Sequence, residues 1–163
     1  MIRHAGLIAR RMRGRWLGAL IEGPSGSGKS DLALRALARG WTLVADDRTV
    51  VWVSDGRLFG RAPDALAGLI EARGVGILAA PRRGLAEIAI LVRCVERAAV
   101  ERMPDPETQK LLGIALPAAA LAALDDSAPA KLDRALAGLD SPTNRRITTA
   151  APARGSPDAG GVP

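Results

Sequence analysis

The chain carries one complete phosphate-binding loop, GPSGSGKS at residues 23–30. Its pattern, G-x-x-x-x-G-K-S/T, brings backbone N–H groups and the start of a helix onto phosphate oxygens. Glycines are needed because a Cβ would block the close approach of an anion. The candidate nucleotide-binding residues are Gly23, Pro24, Ser25, Gly26, Ser27, Gly28, Lys29 and Ser30. In this pattern Lys29 reaches the outer phosphates and the Ser30 hydroxyl lies on Mg²⁺.

Two adjacent acids, Asp46 and Asp47, follow the apolar run 43–45. Phosphoryl transfer needs an acid on the metal side and, when a hydroxyl is attacked, a base. Neighbouring carboxylates can be held in different protonation or coordination states, so one can serve the metal while the other accepts a proton. The alternative is an ordinary solvated turn at residues 46–48. Their place at a strand end, just beyond the phosphate-loop helix, favours a site.

A strand must lead into the loop and a helix must follow it. The apolar run 16–22 predicts that strand, and the leucine spacing over 31–39 predicts the helix, with Gly40 as its left-handed cap. The Asp55-Gly56 pair predicts a hairpin between 49–53 and 57–61. Further predicted strands cover 4–8, 41–45, 77–79, 85–95 and 111–116; predicted helices cover 63–70, 118–124 and 130–139; and 71–76 is expected to be a loop.

Composition indicates one α/β domain over residues 1–140, followed by a tail at 141–163 that lacks periodicity and is expected to be disordered. Hydrophobic residues make up 48% of the chain and aromatic residues only 2%, so aliphatic side chains must build the core. The single cysteine excludes an intramolecular disulfide framework and fits a reducing compartment. No membrane-length apolar run or secretory leader is visible, and we expect a cytoplasmic protein.

Positive charge is concentrated at the start of the chain. The net charge is +6, and residues 1–15 contribute +5 of it through five arginines and no acid. The rest of the domain is nearly neutral, which argues against a nucleic-acid partner. We interpret the opening segment as a solvated basic surface or one that attracts acidic partners.

Four blocks together resemble the catalytic domain of HPr kinase/phosphorylase, in the short form seen in alphaproteobacteria. They are the loop 23–30, the Asp-Leu-Ala-Leu at 31–34, the Val-Ala-Asp-Asp at 44–47, and Ile-Glu-Ala-Arg-Gly-Val-Gly-Ile at 70–77. The resemblance runs from about His4 to Leu116. It implies a phosphate-loop kinase domain related to that of phosphoenolpyruvate carboxykinase, with a mixed sheet and flanking helices, and assembly as a homo-hexamer.

The resemblance also implies an activity and roles for single residues. The protein would use ATP and Mg²⁺ to phosphorylate a serine of HPr, the phosphocarrier protein of the phosphotransferase system, and could catalyse the reverse dephosphorylation. Ser30 and Glu71 would serve Mg²⁺, Asp47 would be the general base and Asp46 would support it. Arg102 aligns with a late catalytic arginine, and His4 with a histidine that precedes the loop strand.

Two other functions remain open from the sequence. One is a different phosphate-loop enzyme, such as a small-molecule kinase, although the long strand 85–95 carries Arg93 where such an enzyme would place an acid. The other is a non-catalytic nucleotide-binding sensor. The intact Lys29, Ser30, Asp46 and Asp47 argue against a decayed site.

Overall fold

The computed structural model describes residues 1–139, so the predicted tail at 141–163 lies outside the described residues. This part of the chain forms eleven strands and two α-helices. The strands are β1 (Ile2–Arg3), β2 (Ala5–Met12), β3 (Arg15–Glu22), β4 (Thr42–Ala45), β5 (Thr49–Ser54), β6 (Arg57–Arg61), β7 (Leu69–Ala72), β8 (Gly76–Ala79), β9 (Ala86–Cys94), β10 (Glu107–Leu111) and β11 (Ile114–Leu121). The helices are α1 (Lys29–Leu37) and α2 (Ala128–Gly138).

Nine of these strands form one large mixed sheet, and β7 and β8 form a separate antiparallel pair. The large sheet runs β1-β5-β6-β9-β3-β2-β4, while β11 pairs with β9 and β10 pairs with β11. Strands β3, β9 and β11 are parallel, and β2 runs antiparallel to both β3 and β4. The ends of β3, β4, β9 and β11 and the beginning of β2 therefore meet at one edge of the sheet. Open α/β sheets bind ligands at such an edge.

Aliphatic side chains fill both faces of the sheet. Along β3, Leu17, Ala19 and Ile21 point to the face covered by the helices, and Leu20 points to the other face. Leu32 of α1 and Leu132 of α2 are fully buried on the helix-covered face. This two-sided burial explains why β3 reads as a continuous apolar run. No helix within residues 1–139 combines the length and apolar character needed to cross a membrane.

Several predicted elements are confirmed. The loop strand, the following helix, the β5–β6 hairpin and the long strand β9 all form, and Gly40 has the left-handed φ of 87° expected after α1. Strand β9 lies directly beside the loop strand, in parallel. The mixed α/β class with flanking helices is therefore correct.

Four local predictions are wrong. Residues 63–70 form only a 3-10 turn at Asp64–Leu66 because Gly68 reverses the chain with a φ of 80°, and β7 then begins. Residues 71–76 are not all loop, since β7 ends at Ala72 and β8 begins at Gly76. The alanine-rich run 118–124 is not helical, because residues 118–121 pair with β9. Residues 111–116 contain a tight hairpin turn in place of a single strand.

Three arginines of the basic opening segment form ion pairs at the surface of the domain. Arg3 pairs with Glu22, Arg10 with Asp133, and Arg15 with Glu87. Each acid lies elsewhere in the sequence, so the folded chain brings opposite charges onto these arginines. The side chains of Arg3, Arg10 and Arg15 remain 37%, 40% and 55% exposed, so these ion pairs lie at the solvated surface and balance part of the segment's positive charge.

Candidate active site

The phosphate loop joins the end of β3 to the first turn of α1. A Cβ added at Gly23 would lie 2.9 Å from the Cβ of Cys94, so only glycine lets the loop pass over the end of β9. Gly28 caps α1 with a φ of 90° and accepts a hydrogen bond from the Leu32 N–H at 2.8 Å. The first N–H groups of α1 have no partner within the helix and are available to an anion.

Cys94 supports the loop from behind. It is buried, and burial raises the pKa of its thiol although the nearby Lys29 charge opposes the shift. A thiol with a raised pKa stays neutral at pH 7 and is a poor nucleophile.

Lys29 folds back across the loop. Its side chain is buried, and its ammonium donates hydrogen bonds to the backbone oxygens of Gly23 at 2.8 Å and Pro24 at 3.0 Å. An ammonium has three donors, so it can also contact an oxygen bound in the cavity. The loop geometry and the position of the Lys29 charge fit a nucleoside triphosphate.

Asp46 ties three elements together at the end of β4. Its side chain accepts a hydrogen bond from the Ser30 hydroxyl at 2.8 Å and another from the Glu71 N–H at 2.9 Å. The residue is only 7% exposed. Asp46 thus places the first turn of α1 against β7, and its carboxylate lies beside the hydroxyl predicted for Mg²⁺.

Asp47 has the opposite environment. Its side chain is 58% exposed, and its Oδ1 lies 2.7 Å from Nε2 of His4. Its φ of 63° is left-handed, and the Arg48 N–H donates to the Asp46 carbonyl at 2.7 Å across it, which is the pattern of a γ-turn. Such strained backbone costs on the order of 1–3 kcal/mol and often lies at functional sites. Here the turn presents one carboxylate to solvent while its neighbour stays buried.

A cavity of about 410 Å³ lies over the phosphate loop. Five side chains predicted for the site line it together, namely His4, Lys29, Ser30, Asp47 and Glu71. Ser25, Gly26 and Gly28 complete the loop wall, whereas Gly23 and Pro24 act through the backbone oxygens that hold Lys29. The structure therefore brings most of the predicted residues to one place, and the cavity has the size typical of ligand sites.

Glu71 projects from β7 at the junction of this cavity and a second one of about 440 Å³ beside the Asp pair. Its carboxylate is half-exposed and lies 3.8 Å from Nε of Arg73. Within residues 1–139 there is no group of three or more His, Cys, Asp or Glu side chains able to hold a metal ion. Mg²⁺ is usually held by one or two carboxylates together with phosphates and water. The oxygen donors of Ser30, Asp46 and Glu71 fit that pattern.

Arg102 lies apart from these residues. It lines a different surface cavity of about 940 Å³, together with Arg93, Glu107 and Lys131. The structure does not bring it into the cavity around Lys29. Its catalytic role stays a prediction.

Sequence reasoning missed part of the cavity wall. Leu34, Arg73, Val75 and Leu124 also line it. Arg73 and Val75 fall inside the Glu-Ala-Arg-Gly-Val-Gly block and could have been found there. Leu124 gave no signal, because its run was predicted as a helix and only the pairing of β11 with β9 places it at the loop.

Comparison with known proteins identifies similar sequences and a similar structure. Residues 14–122 match the family model described as HPr Serine kinase C-terminal domain. The HPr kinase/phosphorylase of Variovorax paradoxus is 39% identical over 112 residues, which cover 60% of this chain and 35% of that protein. The HPr kinase/phosphorylase of Clostridium beijerinckii is 47% identical over 62 residues, covering 38% of this chain and 20% of that protein. The chain thus spans about a third or less of the length of these relatives.

A solved structure extends the similarity over most of the fold. The Hpr(Ser) kinase/phosphatase from Coxiella burnetii superposes with a TM-score of 0.69 at 25% sequence identity. The superposition covers 91% of this chain and 97% of that one. The mixed α/β fold with its large sheet therefore follows a known architecture.

Proposed function

Because the chain belongs to the HPr Serine kinase C-terminal domain family, we propose that it is a protein-serine kinase. It transfers the terminal phosphate of ATP to a serine hydroxyl of HPr or of an HPr-like phosphocarrier protein. The observation that carries the proposal is the difference in surroundings between two adjacent aspartates. Asp46 is buried and hydrogen-bonded to Ser30, while Asp47 is exposed and lines the cavity over the phosphate loop.

The residues of the loop bind and orient the nucleotide. Lys29 already lies across the loop, so it can neutralise phosphate charge without a large rearrangement. Ser30, Asp46 and Glu71 would hold Mg²⁺ and its water. When bound, that ion supplies charge neutralisation on the transferring phosphoryl group.

Asp47 acts on the substrate hydroxyl. It accepts the serine proton as the new oxygen–phosphorus bond forms and the bond to the leaving ADP oxygen breaks. His4 Nε2 lies 2.7 Å from Oδ1 and orients the carboxylate, while Arg48 Nε lies 3.8 Å from Oδ2. In the reverse direction, an ADP oxygen would attack the phosphorus of phosphoserine, the serine oxygen–phosphorus bond would break, and protonated Asp47 would return its proton to the serine oxygen. The left-handed turn at Asp47 supports this role, because the carboxylate that it carries lines the cavity.

The family also motivates the remaining proposals about this protein. They are a relation of the fold to phosphoenolpyruvate carboxykinase, assembly as a homo-hexamer, a cytoplasmic location, and a catalytic contribution from Arg102. The position of Arg102 on a separate cavity allows it to act on a bound partner or on a neighbouring subunit.

One experiment tests the proposed function. The full chain is incubated with ATP, Mg²⁺ and HPr, and mass spectrometry locates any phosphate. We expect one phosphoserine on HPr, with no product from the Lys29→Ala variant. ATP binding without transfer would favour the nucleotide-sensor alternative, and transfer to a small molecule in place of HPr would favour the small-molecule kinase.

A further inference from the structure

An exposed leucine lies on the rim of the cavity that the phosphate loop lines. Leu124 follows the end of β11 and is 68% exposed. Its side chain rests on the last glycine of the loop, since a Cβ added at Gly28 would be 2.8 Å from Leu124 Cδ2 and 3.1 Å from its Cγ. A large apolar group is thus held against the phosphate-binding backbone while most of its surface remains open.

The segment around Leu124 is fixed to the helix that begins at the loop. Arg35 of α1 donates hydrogen bonds to the Asp125 carbonyl at 3.0 Å and to the Ala123 carbonyl. The Asp125 N–H in turn donates to the Ala122 carbonyl at 3.0 Å. These bonds flank Leu124 on both sides, so its position relative to the loop is set by the fold. A preorganised contact of this kind costs little ordering on binding.

The order of the strands at the site edge indicates how a bound nucleotide is oriented across the loop. From one side to the other, the site edge presents β4, β2, β3, β9 and β11. The loop follows β3, Asp47 follows β4 two strands away on one side, and Leu124 follows β11 two strands away on the other. Neighbouring strands are about 4.8 Å apart, so each residue's strand lies about 10 Å from the loop strand.

We propose that Leu124 is the platform on which the nucleobase of the bound nucleoside triphosphate packs. The inference rests on the proposed function: if the terminal phosphate faces Asp47, the nucleoside must leave the loop on the opposite side. Leu124 is a large and mostly exposed apolar side chain that lines the cavity on that side. Its apolar side chain can pack against the flat face of a base. It has no polar group that could form a hydrogen bond with the edge of the base.

Val75 gives the competing position for the base. It lines the same cavity and is 75% exposed, but it lies in the turn between β7 and β8. That strand pair is joined to Asp46 through the Glu71 N–H, which places it on the side of the Asp pair. A base packed there would put the triphosphate in the reverse orientation.

The test compares ATP with inorganic triphosphate, which has the same phosphates and no base. Calorimetric titrations with Mg²⁺ would use the full chain, Leu124→Ala, Leu124→Met, Val75→Ala and the control Leu112→Ala. Leu112 is 40% exposed in the β10–β11 turn, at the opposite end of β11. We expect Leu124→Ala to weaken ATP about tenfold through lost apolar contact while triphosphate binding is unchanged. Leu124→Met and Leu112→Ala should bind both ligands like the parent chain.

Two results would overturn the platform alone. In one, the parent chain binds both ligands and Leu124→Ala leaves ATP unaffected or weakens both equally; in the other, Val75→Ala is the variant that selectively loses ATP. Binding of neither ligand by the folded parent chain would overturn the proposed function, and the platform with it. Thermal unfolding of each variant checks that a loss of binding does not reflect a loss of folding.

Discussion

Asp133 on α2 and Asp47 at the end of β4 are aspartates with opposite surroundings. Asp133 accepts hydrogen bonds from Trp41 Nε1 at 2.7 Å, Arg10 at 2.9 Å and Arg39 at 2.8 Å. Asp47 has His4 2.7 Å from one oxygen and Arg48 3.8 Å from the other, and its 58% exposed side chain lines the cavity. Both carboxylates join distant parts of the sequence, yet only one has its oxygens occupied by several donors. A carboxylate enclosed by donors stabilises the fold, whereas an exposed one on strained backbone is accessible to a ligand in the cavity.

The surroundings of Asp133 also set its protonation. Burial alone would raise the pKa of Asp133, but the hydrogen bonds from Trp41 and Arg39 and the charges of Arg10 and Arg39 outweigh it and lower the pKa below its ordinary value. The hub formed by Asp133, Arg10, Arg39 and Trp41 therefore depends on an ionised carboxylate. It fastens α2 to β2 and to the end of α1.

The largest effect should come from Asp47→Asn. The amide keeps the shape of the side chain but cannot accept the serine proton, so single-turnover transfer to HPr should fall about 10²–10⁴-fold. ATP affinity and thermal stability should change little, because the side chain is exposed. A near-normal transfer rate would mean that Asp47 is not the base, and the Asp pair would then be an ordinary turn with no catalytic role to contrast with the structural role of Asp133.

The neighbouring Asp46→Asn is the matched comparison for that variant. Since Asp46 accepts from the Ser30 hydroxyl, its substitution should alter the Mg²⁺ dependence of transfer. If Asp46→Asn abolished transfer at every Mg²⁺ concentration while Asp47→Asn did not, the assignment of the base would have to be reversed.

The next effect is that of Lys29→Ala on nucleotide binding. A charge-assisted contact is worth about 1.5–3 kcal/mol, so ATP affinity should fall about 10–100-fold. Titration of ATP into the folded variant measures the affinity. Asp133→Asn, which changes an aspartate assigned to fold stability, is the control. Unchanged ATP affinity in a folded Lys29→Ala would contradict the assignment of the phosphate loop.

Asp133→Ala should act on stability and leave the chemistry intact. Its loss leaves the donors of Arg10, Arg39 and Trp41 without their acceptor, and it should lower the free energy of unfolding by about 2–3 kcal/mol. Chemical denaturation measures the change, and transfer kinetics below the unfolding transition should stay near those of the parent chain. If the transfer rate fell while the free energy of unfolding was unchanged, Asp133 would contribute to phosphoryl transfer, and the distinction between a structural Asp133 and a catalytic Asp47 would be wrong.

The pH dependence of stability sharpens the same point. Since the pKa of Asp133 is lower in the folded chain than in the unfolded one, its ionisation stabilises the fold fully above the unfolded pKa of about 3.9. That stabilisation is lost as pH falls through the lower folded pKa. The difference in unfolding free energy between the parent chain and Asp133→Asn should therefore shrink on acidification. A difference that grew below pH 4 would contradict the direction of the shift.

The smallest effect should be that of Glu71→Gln. Its side chain is half-exposed, so folding should be unaffected, but a weakened Mg²⁺ site should raise the Mg²⁺ concentration for half-maximal transfer. Because Mg²⁺ keeps several other ligands, we expect about a several-fold change. An unaltered titration would take Glu71 out of the metal site.

Local sequence was enough for the parts of the site that depend on neighbouring residues. The phosphate loop, the strand before it and the helix after it follow from glycine positions and apolar spacing over residues 16–40. The Asp pair was predicted at a strand end for the same reason, since a polar turn closes a buried run. The Asp55-Gly56 turn is another such case, with left-handed φ values of 48° and 69° at its two residues.

Long-range contacts decided the rest. Residues 118–121 have helical composition but form a strand because β9 offers an open edge beside them, and a paired strand satisfies backbone groups that water would otherwise hold. Residue types also could not distinguish Asp46 from Asp47. Their separation arises because Ser30 and the Glu71 N–H converge on one carboxylate from α1 and β7, while the γ-turn directs the other into the cavity beside His4.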